Sequence, residues 1–356
     1  MLYDATVIGL GPSGTVAAHR AAARGLRVLG IDPAGPNAPG TIGVWADQIP
    51  GWFPDAGIAA EFRPWVIADG VRRRLRSRYV VLAPKWEKRL GGFPVLRGSA
   101  PLSKRLPAAH TFISVPESTL SARQLAHGFI ITTDREPDAV LMDFSPVPGF
   151  GDAPSTFSYR IPLGGGHWLI EETILATTDP PDELLPLLER KCLARMAMLG
   201  ITGRIAGTEI VDFPLGPGVV PRDRRGGRVH IGGAAGWMHP ATGYSVGEVL
   251  AATDGMLDRV LAGRRPRPAA WHLNHFLQRR GLAVLLRLSP AQTRRFFSVV
   301  LALGEDDLRA YLTGSDPVRT AGVMLRIFLR VAKKAPGTAL AVLRAFPRAI
   351  AWGARD

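Results

Sequence analysis

The sequence predicts an α/β protein in which a nucleotide-binding unit is interleaved with a mixed α+β lobe and followed by a helical C-terminal region. Three observations carry this. A glycine-rich turn at residues 9–14 stands between an apolar run and an alanine-rich stretch. Clusters of Pro and Gly punctuate the middle of the chain. From Pro266 onward the composition shifts toward Arg, Leu and Ala at helical spacing.

The first element is a buried strand, Asp4 to Leu10, leading into Gly9, Gly11 and Gly14 of a Gly-x-Gly-x-x-Gly turn. A helix over Thr15 to Arg24 follows, Gly25 stops it, and a second strand from Leu26 to Ile31 ends at Asp32. This is the order of a Rossmann-type dinucleotide site. Gly9 permits the tight turn, Gly11 lets backbone approach a pyrophosphate, and Gly14 allows close packing of helix on strand. The helix N-terminus offers free N–H groups to phosphate, and Asp32 stands where a carboxylate binds an unphosphorylated ribose, as in FAD or NAD.

Composition bounds the rest. With 356 residues, 46% of them hydrophobic, the chain can bury a substantial core. Lys and Arg number 44 against 30 Asp and Glu, a net charge of +14 that suits an anionic partner surface. No nucleic-acid module accompanies the charge, so nucleic acid is not an expected partner. The single cysteine, Cys192, excludes an intramolecular disulfide and reads as a buried apolar residue. The N-terminus carries no export signal, which predicts a cytoplasmic protein. No apolar run reaches 18 residues, so any membrane association is expected to be peripheral. The eight histidines show no ligand spacing, and no metal site is expected.

FAD and NAD sites share the opening described above, and three further segments separate them. GTIGVWADQIPGW at Gly40 to Trp52 resembles the Gly-Val-Trp-x-Asp-Glu segment of lycopene cyclases, with Gln48 in place of the glutamate. AVLMDFSP, PSTFSYRIPL and HWLIEET follow in that family's order between Ala139 and Thr173. GGAAGWMHPATGYSV at Gly232 to Val246 looks like its flavin-closing segment. The match covers the N-terminal half and part of the middle; the last hundred residues match loosely. The third segment also has a reading of its own. A glycine turn after a strand at Arg228 to Ile231 precedes a helix over Tyr244 to Leu261, so a second helix N-terminus is available to a cofactor. Gly232, Gly233, Thr242 and Gly243 are its candidate cofactor residues. Many flavoproteins place Asp where Gly233 stands here; lycopene cyclases do not.

The resemblance implies proton-initiated, redox-neutral ring closure of the end group of an acyclic carotenoid, requiring FAD in its reduced form, with NADPH the expected reductant. Such chemistry needs a carboxylic acid kept protonated in an apolar pocket and electron density near a developing cation. Glu171 corresponds to the family's essential acid. Glu171 and Glu172 lie in a strand-like run, where alternation sends them to opposite faces, so one of them alone can enter a given pocket. Glu172 is a supporting or solvent-facing candidate, and Asp47 a candidate to orient the acid or receive the proton. Trp45, Phe157, Tyr159 and Trp168 are candidates to line the polyene pocket with π-faces. His239, in a Gly-Pro-rich turn, is read as fixing backbone or touching flavin. Alternatives are a FAD-dependent oxidoreductase such as a prenyl reductase or hydroxylase, a cyclase of a non-carotenoid polyene, and a non-catalytic flavin or lipid binder.

The expected domains are a FAD-binding domain from 1–60, 105–154 and 205–262, a substrate lobe from 61–104 and 155–204, and a helical region over 263–356. Helices are expected at Ala270 to Leu288, Ala291 to Leu303, Val318 to Lys333 and Thr338 to Trp352. Arg326, Arg330, Lys333 and Lys334 alternate with Val323, Leu325, Ile327, Phe328 and Val331, a pattern suited to an anionic membrane surface as well as to an ordinary packed helix. An apolar polyene substrate favours the membrane.

Overall fold

The computed structural model describes residues 3–38, 40–100, 108–115, 122–133, 135–151, 153–216 and 228–348. In chain order the first strands and helix are β1 (Tyr3–Ile8), α1 (Pro12–Ala22), β2 (Val28–Ile31), β3 (Gly43–Trp45), β4 (Ile58–Phe62), β5 (Trp65–Ala68), β6 (Val71–Arg74) and β7 (Tyr79–Leu82). Then come β8 (Val95–Leu96), β9 (Ala108–Ile113), β10 (Arg123–Thr132), β11 (Val140–Asp143), β12 (Phe157–Gly164), β13 (His167–Thr177), α2 (Pro181–Met198), β14 (Arg204–Pro214) and β15 (Arg228–His230). Six helices complete the described chain: α3 (Val246–Leu261), α4 (Ala269–Leu285), α5 (Pro290–Leu301), α6 (Glu305–Thr313), α7 (Pro317–Lys334) and α8 (Pro336–Arg348).

Three sheets organise these elements. A five-stranded sheet, ordered β15-β9-β1-β2-β8, has every neighbouring pair parallel. Such strands are buried on both faces, as the continuous apolar runs of β1 and β2 require. α1 begins at Pro12, three residues earlier than expected, because proline is well placed in a first turn where its missing N–H has no partner to lose. It buries Val16, Ala17, Ala18 and Ala21. Arg20 and Arg24 reach across to Asp254 and Asp258 and tie α1 to α3.

The second sheet has seven strands, ordered β14-β10-β13-β12-β11-β5-β6, and the third is β3-β7-β4. Here the expected domain boundaries are corrected. β10 and β11 lie within 105–154, and all of β14 but Arg204 within 205–262, yet they belong to the seven-stranded sheet; β8 lies within 61–104 yet belongs to the parallel one. Neither an alternating strand such as β14 nor a short buried one such as β11 carries a mark of the sheet it will join.

The C-terminal helices form where expected, with one addition. α6 is not among the expected helices; its opening run Glu305-Asp306-Asp307 has no apolar residue to begin a helical stripe. Glu305 is in fact buried and accepts the backbone N–H groups of Arg76 and Ser77 at 2.7 and 2.5 Å. The expected end of the last helix at Trp352 lies outside the described residues.

Candidate active site

The dinucleotide cradle is built by steric exclusion. Gly9 has φ +84°, a backbone state that side chains disfavour, and a Cβ on Gly14 would lie 1.8 Å from the Gly9 carbonyl oxygen. Gly11 differs: the nearest atom to its would-be Cβ is the Asn37 carbonyl oxygen at 3.9 Å, so its face is open to a ligand. Asp32 holds the loop, its carboxylate accepting N–H groups from Leu10 and Ala34 at 2.8 Å each while keeping lone pairs for a ribose. Gly232 packs onto the start of α1, where a Cβ would stand 2.2 Å from Ser13 Oγ; neighbouring Gly233 meets nothing within 4 Å. Two open glycines therefore flank one helix N-terminus. Gly14→Ala is expected to cost about 1–3 kcal/mol and to lose dinucleotide binding, whereas Gly233→Ala retains the fold; thermal melts with cofactor titration check the contrast.

The segment before α3 is held by His239. Its Nδ1 accepts the N–H groups of Ala241 and Thr242, both at 3.2 Å, and burial holds its imidazole down at about 3. It is a neutral clamp on the turn. Thr242 donates its hydroxyl to the Leu312 carbonyl at 2.9 Å and its N–H to His239, so its donors serve the protein, a correction to its reading as a cofactor ligand. Gly243, at φ +76°, lets the turn pass Gln124 and Phe213, which a Cβ would meet at 2.6 and 2.8 Å.

The acid lies on the seven-stranded sheet. β13 pairs antiparallel with β10 and β12, so Gly128, Glu171 and Tyr159 form one row, which Glu209 of β14 extends. Directly opposed residues share a face. Gly128 makes the room: a Cβ there would stand 2.8 Å from Leu169 Cδ1 and 3.1 Å from Glu171 Cβ. Glu171 is 6% exposed. Burial pushes its carboxyl up to about 8, against the Thr173 hydroxyl that donates to it at 2.6 Å, and the nearby Glu209 and Glu172 push the same way.

Phenols crowd this face: Tyr159 rises from it and Tyr79 packs close by. Burial pushes Tyr79, Tyr159 and Tyr244 all upward, and Tyr79 and Tyr244 have their hydroxyls 3.5 Å apart. Trp45 meets Tyr79 edge-on at 5.1 Å between ring centroids. Glu209 anchors the overlying loop, accepting the Thr41 N–H at 3.0 Å and its hydroxyl at 2.8 Å. The arrangement is a protonated acid beneath an aromatic roof.

Comparison with known proteins decides the family. The family model described as lycopene cyclase protein matches residues 95–332. The chain belongs to the lycopene cyclase family. It is 26% identical to the lycopene beta cyclase of Synechococcus elongatus, over 92% of this chain and 93% of that one. It is 27% identical to an uncharacterized carotenoid cyclase of Deinococcus radiodurans, over 92% and 89%. In fold it is similar to a geranylgeranyl bacteriochlorophyll reductase-like protein of Thermoplasma acidophilum, with a TM-score of 0.63 at 16% identity, over 94% of this chain and 99% of that one.

Within this lycopene cyclase family member, Glu171, Tyr159 and Phe157 share the sheet face that Trp45 approaches, and three other candidates lie elsewhere. Glu172 points to the opposite face, where Arg195 Nε donates to it at 2.6 Å and Thr156 Oγ1 at 2.5 Å. The acid beside Glu171 is therefore a structural partner of α2. Trp168 shares that far face, packed with Phe129, Ile131, Ile170, Cys192 and Met196, and points away from Glu171. Asp47 is corrected too: its side chain is 62% exposed and takes both contacts, at 2.6 Å, from Arg309. Asp47→Ala is expected to change turnover less than about threefold and stability by under about 1 kcal/mol, which steady-state rates and denaturation would test.

Several functional candidates were not visible in sequence. Gly128, Glu209 and Thr41 join the site through strand register and loop packing. Tyr79 and Tyr244 come from segments 165 residues apart. An alternating strand with an acid at Glu209 was the one available signal. Among the described residues no cluster could hold a metal ion.

Proposed function

We propose that this protein is a carotenoid cyclase that closes the end group of an acyclic carotenoid by proton-initiated, redox-neutral isomerisation with reduced FAD bound. The observation that carries the reading is Glu171, a carboxyl raised to about 8 by burial on the face it shares with Tyr159 and Phe157 and that Trp45 and Tyr79 cover. At neutral pH it holds its proton. It donates that proton to the terminal C=C bond, leaving a tertiary cation; the neighbouring C=C bond supplies the electron pair that closes the six-membered ring. Loss of a ring proton restores a double bond, so the product has the mass of the substrate. The Glu171 carboxylate and the aromatic faces offset the cation's charge, and their apolar setting keeps water from capturing it.

The cradle fits a dinucleotide, since Gly11 and Gly233 leave space that a Cβ would narrow and Asp32 retains acceptor capacity. Gly9, Gly11, Gly14, Asp32, Gly232, Gly233 and Gly243 would hold FAD. When bound, the reduced flavin supplies negative charge density to a cationic reaction centre, and NADPH is the reductant this reading assigns. Anaerobic incubation of the protein with lycopene in liposomes and chemically reduced FAD tests the proposal. A cyclic product of unchanged mass supports it; a product heavier by hydrogen or oxygen would overturn it in favour of a flavin oxidoreductase.

The substrate's insolubility in water points to a membrane surface. Among the described residues no helix is long and apolar enough to cross a bilayer. α7 and α8 instead expose Val318, Leu325, Leu329, Leu340 and Leu343 beside Arg319, Arg330, Lys333, Lys334 and Arg344. This face suits peripheral docking, with leucines below the headgroups and cations among them. The protein is expected to float with anionic vesicles at low salt and to dissociate as salt rises; indifference to lipid charge would count against the docking face.

A further inference from the structure

The C-terminal helices line a cavity of about 310 Å³, whose walls include Gly281, Phe296, Tyr311, Met324, Phe328 and Phe346. Among the described residues Tyr311 is its one titratable lining group, and burial holds that phenol protonated. Leu325, Leu343 and Phe346 also line the cavity, yet they are 58%, 54% and 38% exposed. The mouth therefore opens at the surface between α7 and α8, with an apolar rim beside the exposed cations Arg330 and Arg344.

A void of this size with apolar walls forfeits contact energy that is large beside a protein's net stability, and a hydrocarbon occupant recovers it. At about 30 Å³ per water-sized group it takes on the order of ten such groups, a portion of a long chain rather than the whole. Aromatic faces and an adaptable methionine suit a conjugated, methyl-branched chain better than a saturated one. Phe296, Tyr311 and Ile327 belong to the same apolar cluster as Trp45 and Tyr79, against which Tyr159 packs, so hydrophobic contact runs unbroken from this cavity to the acid's roof.

We propose that this cavity is a second hydrocarbon site, holding the non-reacting portion of an acyclic isoprenoid chain that enters from the bilayer between α7 and α8. The identity of the chain rests on the cyclase reading; the existence of the site does not. Among the described lining residues no side chain can protonate an alkene, so what binds is held and not transformed.

The test uses the full-length protein and diphenylhexatriene, a neutral linear polyene whose fluorescence rises in apolar surroundings. Saturable binding at this cavity is expected, one probe per cavity. Ala321→Trp, at an exposed lining position, and Val342→Trp should each weaken binding by about tenfold or more, while Glu171→Gln leaves it unchanged. Squalene should displace the probe at a concentration about tenfold lower than a straight-chain phospholipid. Unaltered affinity in both filled variants would overturn the site, and equal displacement by squalene and phospholipid would overturn its isoprenoid preference. Were no cyclic product formed while these binding results held, the cyclase reading alone would fall.

Discussion

Replacing Glu171 with Gln is expected to lower cyclisation of the polyene by roughly 10²–10⁴-fold while FAD affinity stays within about twofold of the parent. The amide keeps the shape and burial of the side chain but has no proton of useful acidity. Product formation by chromatography, with flavin titration on the same preparation, checks both halves; full activity in the variant would remove Glu171 from the chemistry. The parent has a second signature. Its active form is the protonated acid, so the rate should hold through neutral pH and fall about tenfold per unit above the Glu171 value of about 8.

Stability should move with the same titration. The folded protein keeps the Glu171 proton up to about 8, whereas the unfolded chain releases it near the ordinary 4.5. Between these values the native state binds more protons, so the parent loses stability as pH rises through that window. Glu171→Gln escapes the penalty. It should match the parent near pH 4 and exceed it by on the order of 3–5 kcal/mol above pH 8, as measured by denaturant unfolding at both ends of the range. A variant less stable than the parent at high pH would show that the carboxylate is well solvated or paired after all.

The second large effect lies behind the same strand. Arg195 and Glu172 have side chains 0% and 1% exposed and meet at 2.6 Å, with Arg195 also donating to the Ser145 carbonyl at 2.8 Å. Arg195→Met would leave a carboxylate buried with the Thr156 hydroxyl as its remaining side-chain donor, at a cost of about 3–5 kcal/mol. The double variant Arg195→Met with Glu172→Leu should recover most of that loss, because removing both charges also removes the desolvation they carry. Unfolding curves for the single and double variants measure this. In the folded fraction, turnover should stay within about tenfold of the parent, since Glu172 faces α2 and not the substrate; a loss as large as that of Glu171→Gln would return Glu172 to the reaction.

How much of the site was legible depended on the range of the interaction that makes it. The glycines at 9, 11 and 14 act within one turn, and Asp32 acts on that turn from the end of the next strand, so both could be read directly. Alternation along β13 separates Glu171 from Glu172, and the same alternation sends Trp168 with Glu172, which is why that tryptophan packs on α2. Asp47 was open to misreading because its partner Arg309 lies 262 residues away. Glu209 was invisible for a similar reason: it enters the row with Glu171 only when β14 pairs with β10.

By itself the sequence determined the nucleotide turn, the helical C-terminal region, the opposed directions of the paired glutamates and, through its motifs, the family. These rest on local sterics and on strand periodicity, which a linear text preserves. Only the tertiary structure decided which sheet each middle strand joined, that Glu171 and not Glu172 sits beneath the aromatic roof, and how far its acidity is displaced. Those outcomes depend on register across strands and on burial, and burial is a property of what packs around a group rather than of its neighbours in the chain.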